Sequence, residues 1–556
     1  MPRWCRTPRS GPSRSHHDLS PRRLLCAGLE APALPPAGIR CRTRGRRFGS
    51  KYDARRARRE WGIAAAVRVH TPFVVLCGPN YGQRMNDAHK KPQVELDIDS
   101  IGFEGVAVGR VDGVVHFVAG ALPGERVRAR ILRSKKRFVE AEVAEIITPS
   151  PMRQQPPCEH FGTCGGCKWQ HLAYSEQTIW KRQHVVDAFE RIGHVSAGTY
   201  HPTIACDPWY GYRNKMEFSF GGSKWLTNEQ IASGQEFDMS FALGLHVPGR
   251  FDKVLDVEHC LLQSDVGNQL LSATHRLAHT HGIAAYHQRR HDGFARNLVV
   301  RTSATTGAVM AILITTTPTT DAEHAFIDDW MHQGASLPPG SSMLHAVNDT
   351  WSPVAVGTIV RTEGPGVLEE TSHGITYRIS PFSFFQTNTF QLPKLVGTAI
   401  EAAAITSNDV VWDLYCGTGT LTLPAARRAR HVVGAELVAS SIADATANAE
   451  RNGISNVEFH TVDLHSPKAT PVLTSFPRPD VILIDPPRAG MHAMLVEHVL
   501  QAGAPRVVYV SCNPSTQARD CALLAERYEV TDVTPVDMFP HTFHVESVAL
   551  LRRRDG

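Results

Sequence analysis

Between Gln93 and Val143 apolar and polar residues alternate at a period of two. The runs are Val94-Glu95-Leu96-Asp97-Ile98, Val114-Val115-His116-Phe117-Val118, Arg126-Val127-Arg128-Ala129-Arg130-Ile131 and Val139-Glu140-Ala141-Glu142-Val143. Successive side chains of a strand point to opposite faces, so each run predicts a strand with one buried face. Gly105, Gly109, Gly113 and Pro123-Gly124 supply the turns. Four or five strands in about sixty residues predict a small OB-like β-barrel, a fold that commonly binds single-stranded nucleic acid. Residues 175–395 mix a helical stretch, Ile179 to Ile192, with strands such as Met216-Glu217-Phe218-Ser219-Phe220 and Leu298-Val299-Val300-Arg301. They predict an α+β central domain. From about residue 396 strands and helices alternate, as in a parallel, doubly wound, Rossmann-like α/β sheet. The chain thus divides into an extension (1–90), a barrel (91–150), a central domain (151–395) and a C-terminal α/β domain (396–556).

Composition changes this picture at one end. Of the 556 residues 42% are apolar, enough for sizeable cores. The longest apolar run, Ala308 to Ile314, is far short of the ~20 residues that span a bilayer, so no membrane segment is expected. The formal net charge is +5, yet residues 1–84 hold 18 Arg and Lys against 4 Asp and Glu, leaving −9 for the remainder. With nine prolines and no hydrophobic period, that leader cannot offset its ordering entropy and is expected to be disordered. Met85 is a second start candidate. The leader reads as a dispensable tail, with a basic RNA-binding arm as the alternative. Twelve cysteines are too sparse for a disulfide scaffold and point to a reducing, cytoplasmic compartment.

Three of those cysteines cluster. Cys158, Cys164 and Cys167 stand at C-x5-C-x2-C with Gly165 and Gly166 between the last two, a spacing that lets backbone fold around a metal centre. A closed site needs a fourth thiol, and Cys206 and Cys260 are both candidates by spacing. A structural zinc ribbon is the rival of an iron–sulfur cluster here. Elsewhere in the central domain, Tyr212-Arg213-Asn214-Lys215 and His246-Val247-Pro248-Gly249-Arg250 mix aromatics or histidine with cations, as an RNA surface would.

In the last domain the strand Val410 to Tyr415 runs into Cys416-Gly417-Thr418-Gly419-Thr420, and the next, His431 to Ala435, ends at Glu436, 17 residues beyond Gly419. Glycines let backbone approach a ligand, and an acid ending the second strand can accept two ribose hydroxyls. No Gly-Lys-Ser/Thr follows, which excludes a P-loop. The fourth strand, Val481 to Ile484, leads into Asp485-Pro486-Pro487-Arg488. The fifth, Arg506 to Val510, delivers Ser511-Cys512-Asn513-Pro514 to the same carboxyl edge. Cys512 is the candidate nucleophile, against a buried structural thiol of the kind expected for Cys416 and Cys521.

These motifs carry a family likeness. Gly105-Val106-Ala107-Val108-Gly109-Arg110 with Leu122-Pro123-Gly124-Glu125 resembles a TRAM domain, implying that Arg133, Lys135, Lys136 and Arg137 face phosphates. Asp413 to Gly419 resembles the first motif of S-adenosylmethionine-dependent methyltransferases. Ser511-Cys512-Asn513-Pro514, the segment Asp537 to Ser547, and Pro381 to Asn388 resemble motifs of the RNA (uracil-5-)-methyltransferases. The cysteine segment with Val257-Glu258-His259-Cys260 resembles the 23S rRNA branch, the transfer-RNA branch lacking these cysteines. The resemblance implies Cys512 as nucleophile and Glu546 as base. It implies Gln386, Tyr415, Thr420, Glu436, Asp463 and Asp485 as S-adenosylmethionine contacts, and a [4Fe-4S] cluster on Cys158, Cys164, Cys167 and Cys260. The expected enzyme is a monomer that methylates carbon 5 of a flipped uridine in 23S rRNA. Transfer RNA as substrate and a catalytically silent RNA-binding assembly factor are the alternatives.

Overall fold

The computed structural model describes residues 91–554, so the expected disordered extension lies outside the described residues. Strands β1 (Gln93–Ile101), β2 (Ala107–Val111), β3 (Val114–Ala119), β4 (Arg126–Ser134) and β5 (Phe138–Thr148) close a barrel in the order β1-β2-β3-β5-β4. The alternation read from the sequence places Leu96, Ile98, Val118, Val127, Ala129 and Ala141 inside. The basic cluster forms the exposed β4–β5 turn, where Lys135 pairs with Glu140 at 2.6 Å while Lys136 and Arg137 face solvent.

A short strand β6 (Thr199–Tyr200) precedes the central sheet, which comprises β7 (Lys215–Gly221), β8 (Ala242–Val247), β9 (Arg250–Asp256), β10 (Ala295–Thr302), β11 (Val309–Thr315), β12 (Ser342–Val347) and β13 (Thr358–Glu363). Its order is β13-β12-β11-β10-β7-β8-β9. Helices Asp265–Thr280 and Asp321–His332 cover one face through Leu270, Leu271, Phe326 and Trp330. The opposite face joins a core shared with the C-terminal domain, so β11 sends Val309, Ala311 and Leu313 one way and Met310, Ile312 and Ile314 the other. Burial on both faces explains why this strand is continuously apolar. β10 is likewise buried at all but its last residue, its Arg296, Asn297 and Arg301 included.

After the hairpin β14 (Leu368–Ser372) and β15 (Ile375–Ile379) come β16 (Val410–Leu414), β17 (His431–Glu436), β18 (Val457–Thr461), β19 (Val481–Ile484), β20 (Arg506–Ser511), β21 (Tyr528–Val536) and β22 (Glu546–Arg553). The sheet order is β18-β17-β16-β19-β20-β22-β21-β6. Five strands are parallel as expected, while β22 and β21 add antiparallel to β20 and to each other. The domain recruits more chain than residues 396–556. β6 pairs with β21, and Val185, Ala188 and Phe189 at the end of helix Tyr174–Ala188 pack on Cys521, Leu524 and Val533. Leu368, Ile375 and Tyr377 of the hairpin complete the other core. Apolar faces and a sheet edge draw in these distant segments. Among the described residues no helix is long and apolar enough to cross a membrane.

Candidate active site

The carboxyl ends of β16, β17, β19 and β20 open onto one cleft of about 830 Å³. Asp413, buried near the end of β16, accepts the Thr422 hydroxyl at 2.5 Å. Burial, with the carboxylates of Asp485 and Glu436, pushes its carboxyl up to about 7. The turn that follows is left-handed at Tyr415, Gly417 and Gly419, with φ of +67°, +54° and +88°. A side chain at Gly419 would press on Leu423 at 3.1 Å. Glu436 braces this turn, its two carboxylate oxygens accepting the N–H groups of Gly417 at 3.2 Å and Val438 at 2.9 Å. Asp463 lies two residues past β18 and accepts the His465 N–H at 3.0 Å, while His465 Nε2 meets the Tyr415 hydroxyl at 3.0 Å. Gln386 and Thr420 complete the wall. All six expected cofactor positions therefore line a single cavity. Leu437 and Val438, which no sequence motif marks, also line it and turn 59% and 48% of their surface outward beside Glu436. Two exposed apolar residues next to a carboxylate suit a flat ring with an attached sugar.

Cys512 and Glu546 line the same cleft. β20 ends at Ser511, whose hydroxyl accepts the Asn513 N–H at 3.1 Å, and Asn513 caps helix Pro514–Leu524 through the Ser515 N–H. The cap ties down the Asp485 loop as well: Asn513 Nδ2 and the Thr516 hydroxyl donate to the Arg488 carbonyl at 3.0 and 3.2 Å. Arg488 is thereby held against the thiol. Burial first, then Glu546 and Asp485, push the Cys512 thiol up to about 11, and Arg488 opposes them by charge and hydrogen bond. Burial also holds Glu546 and Asp485 above the ordinary carboxylate range. A carboxyl with a raised pKa is a stronger base than a solvated one. The site can form a thiolate beside a cation and accept a proton across the same cavity. The sequence shows Arg488 only as the residue that closes the run Asp485-Pro486-Pro487-Arg488.

A second cavity, of about 790 Å³, is lined by Cys158, Cys164, Cys167 and Cys260. Arg213 and Thr387 line both cavities, so the two adjoin. Cys260 is held by Asn268, which accepts its N–H at 2.9 Å and donates to its carbonyl at 3.2 Å. Cys206, the other candidate by spacing, is buried elsewhere, accepting from Asn388 at 3.2 Å and donating to the Pro208 carbonyl at 3.2 Å. Burial pushes the Cys164 thiol up to about 11 and Cys167 to about 12. As placed, no three His, Cys, Asp or Glu side chains among the described residues converge on a single metal ion.

A family profile described as tRNA (Uracil-5-)-methyltransferase matches residues 366–554, and a TRAM domain profile matches residues 93–144. A protein of Bacteroides thetaiotaomicron described as an RNA methyltransferase is 40% identical over 452 residues, covering 81% of this chain and 99% of its own. One from Porphyromonas gingivalis with the same description is 37% identical over 469 residues, covering 82% and 99%. Among solved structures, the Pyrococcus abyssi tRNA (uracil-54, C5)-methyltransferase in complex with S-adenosyl-L-homocysteine superposes with a TM-score of 0.63 at 26% identity. The match covers 82% of this chain and all of that one.

Proposed function

The chain belongs to the RNA methyltransferase family, and on that premise we propose that it transfers a methyl group from S-adenosylmethionine to carbon 5 of a uridine in 23S rRNA, through a covalent Cys512 adduct. The observation that carries this reading is that Cys512 and Glu546 face one cavity with the nucleoside-type pocket of Tyr415, Glu436 and Asp463. Carbon 5 of uracil is too weakly nucleophilic to be methylated directly. The Cys512 thiolate adds to carbon 6, and the displaced electron pair makes carbon 5 enolate-like. S-adenosylmethionine would supply an electrophilic methyl group on a positively charged sulfur, the methyl–sulfur bond breaking as carbon 5 is methylated and S-adenosylhomocysteine leaving as the neutral thioether. With the methyl on carbon 5, Glu546 accepts the carbon 5 proton, the 5,6 double bond re-forms and the bond from carbon 6 to sulfur breaks, returning Cys512 as thiolate. A base in a duplex or folded loop must be extruded to enter such a cleft.

The cysteine cavity supports a further part of the proposal, a [4Fe-4S] cluster on Cys158, Cys164, Cys167 and Cys260. Four thiols line one cavity, the number and kind of donors that such a cluster takes. A cluster presents a separate iron to each thiolate. Iron and sulfide analysis of anaerobically purified protein tests this directly. A second substrate reading, transfer RNA, draws support from the similarity to the Pyrococcus abyssi enzyme, whose substrate is a tRNA uracil. The deciding experiment is nucleoside mass spectrometry on unmodified 23S rRNA and on unmodified transfer RNA, each incubated with the protein and S-adenosylmethionine. New 5-methyluridine in 23S rRNA, lost with Cys512→Ala, is the expected result; 5-methyluridine only in transfer RNA would overturn the substrate assignment.

A further inference from the structure

The loop that leads into Glu546 is tied to distant parts of the chain by contacts the reaction does not use. It runs from Asp537 to Val545, between β21 and β22, and places Phe539 and His544 on the cleft wall beside Glu546. At its crest His541 has a φ of +66°, a left-handed backbone that a residue other than glycine keeps only when its surroundings impose it. The surroundings here are specific. The His541 carbonyl accepts the N–H groups of Lys168 at 2.8 Å and Trp169 at 3.0 Å, the two residues directly after Cys167. Its own N–H donates to Gln177 Oε1 at 2.8 Å, and Gln177 Nε2 donates back to the carbonyls of Trp169 and Leu172. The Tyr210 ring stacks on His541 at 4.3 Å, and the Tyr212 hydroxyl donates to the Pro540 carbonyl at 3.1 Å.

Deeper in the protein, the fully buried Lys181 donates to Asp537 Oδ1 at 2.5 Å and to the Phe539 carbonyl at 2.9 Å, and the Tyr174 hydroxyl takes the other Asp537 oxygen at 3.0 Å. The barrel reaches the same point. Gly105, in its β1–β2 turn, accepts the Trp169 indole N–H at 3.3 Å, and a side chain there would collide with Trp169 and Phe543. A buried ion pair is weak evidence for stability, since apolar residues of like volume often serve as well or better. What such a pair does supply is a fixed position for the groups bonded to it.

We propose that Gln177, Lys181 and Trp169 are positioning residues for Glu546: the segment after the cysteines and the barrel turn together set the loop from which the base enters the cleft. This inference rests on the covalent reading above. It gives the cysteine segment a purpose within the active site itself, because Cys167 is joined through Lys168 and Trp169 to the loop that precedes the base. Proton removal from carbon 5 is the step it governs. A displacement of about 1 Å at a reacting group can slow a step about a hundredfold, whereas Cys512, directly after β20, keeps its own anchor in the Asn513 cap.

The test uses Gln177→Leu and the double variant Lys181→Met/Asp537→Leu, which removes both buried charges and so avoids an orphaned one. Each is incubated with RNA substrate and S-adenosylmethionine and run on a denaturing gel. The expected result is a covalent protein–RNA adduct carrying the methylated base, at least about tenfold more abundant than in the wild type. S-adenosylmethionine affinity should stay within about twofold, since none of Gln177, Lys181 and Asp537 lines that cleft. Hydrogen exchange should rise at the amides of Lys168, Trp169, Phe539 and His541 and stay level at Gly417 to Gly419. Folded variants that release product with wild-type partitioning would overturn the inference. If neither wild type nor Glu546→Gln forms an adduct on any RNA, the covalent reading falls and exchange alone decides the clamp, unchanged protection across 538–545 overturning it.

Discussion

Replacing Arg488 by glutamine removes a hydrogen-bonded cation from the Cys512 thiol and tests how the proposed nucleophile is made. Burial, Glu546 and Asp485 together push that thiol up to about 11, and Arg488 pulls the other way. With such a pKa only about one thiol in a thousand is ionised at pH 8. A hydrogen bond to a charged group contributes about 1.5–3 kcal/mol. Arg488 is solvent-exposed, so screening places its effect at the lower end, about one pK unit. The same guanidinium draws the Glu546 carboxyl down. Its loss therefore moves both groups that must lose protons in the alkaline direction. The assay is single-turnover adduct formation on RNA carrying 5-fluorouridine, which has no carbon 5 proton to surrender and so halts as the covalent complex. The rising limb of the pH profile should shift up by about one unit, lowering the rate about tenfold near pH 7.5 at saturating RNA. An unchanged profile, or a loss that vanishes once RNA is saturating, would refute this account of the thiol and leave Arg488 with no role or with one in RNA binding.

Three other outcomes follow from the geometry. Glu436→Ala removes the brace on Gly417 and Val438 together with the proposed acceptor for ribose hydroxyls, and should weaken S-adenosylmethionine binding about ten- to a hundredfold by calorimetry without RNA; equal affinity would take Glu436 out of the pocket. Burial lifts the Asp413 carboxyl from 3.8 to about 7, so the folded state holds a proton that the unfolded chain releases, and stability falls as pH rises between those values. Thermal melts of Asp413→Asn should accordingly gain on wild type from about pH 4 to about pH 7, and a constant gap would contradict the assigned shift. Lys181→Met alone leaves Asp537 buried without its cation and should cost about 3–5 kcal/mol in urea unfolding, most of it recovered when Asp537→Leu is added; two equal losses would show that packing, not charge, is at stake.

Local chemistry made much of this protein legible before any fold was known. The period-two runs from Gln93 to Val143 place alternate side chains on one face, and that alone specifies the barrel interior of Leu96, Val118 and Val127. Glycines at 417 and 419, an acid at 436 and a cysteine at 512 all end strands, and strands of a doubly wound sheet bring their carboxyl ends to one edge whatever lies between. Hence the eight expected catalytic and cofactor residues share a cavity.

Other features belong to pairs that no local pattern encodes. Spacing left Cys206 and Cys260 open; packing put Cys260 beside Cys158, Cys164 and Cys167 and sent Cys206 to Asn388. The Ala308–Ile314 run read only as apolar, because burial by its own helices on one face and by the C-terminal domain on the other is decided by what the sheet meets. Arg488 acquired its place at the thiol through the Asn513 cap, and Lys181 met Asp537 across 356 residues of chain. Burial faces, turns and strand ends follow from interactions within a few residues and so are written locally. A contact between residues hundreds of positions apart exists only once chain entropy has been overcome by the packing of whole layers, and that is decided by the tertiary structure alone.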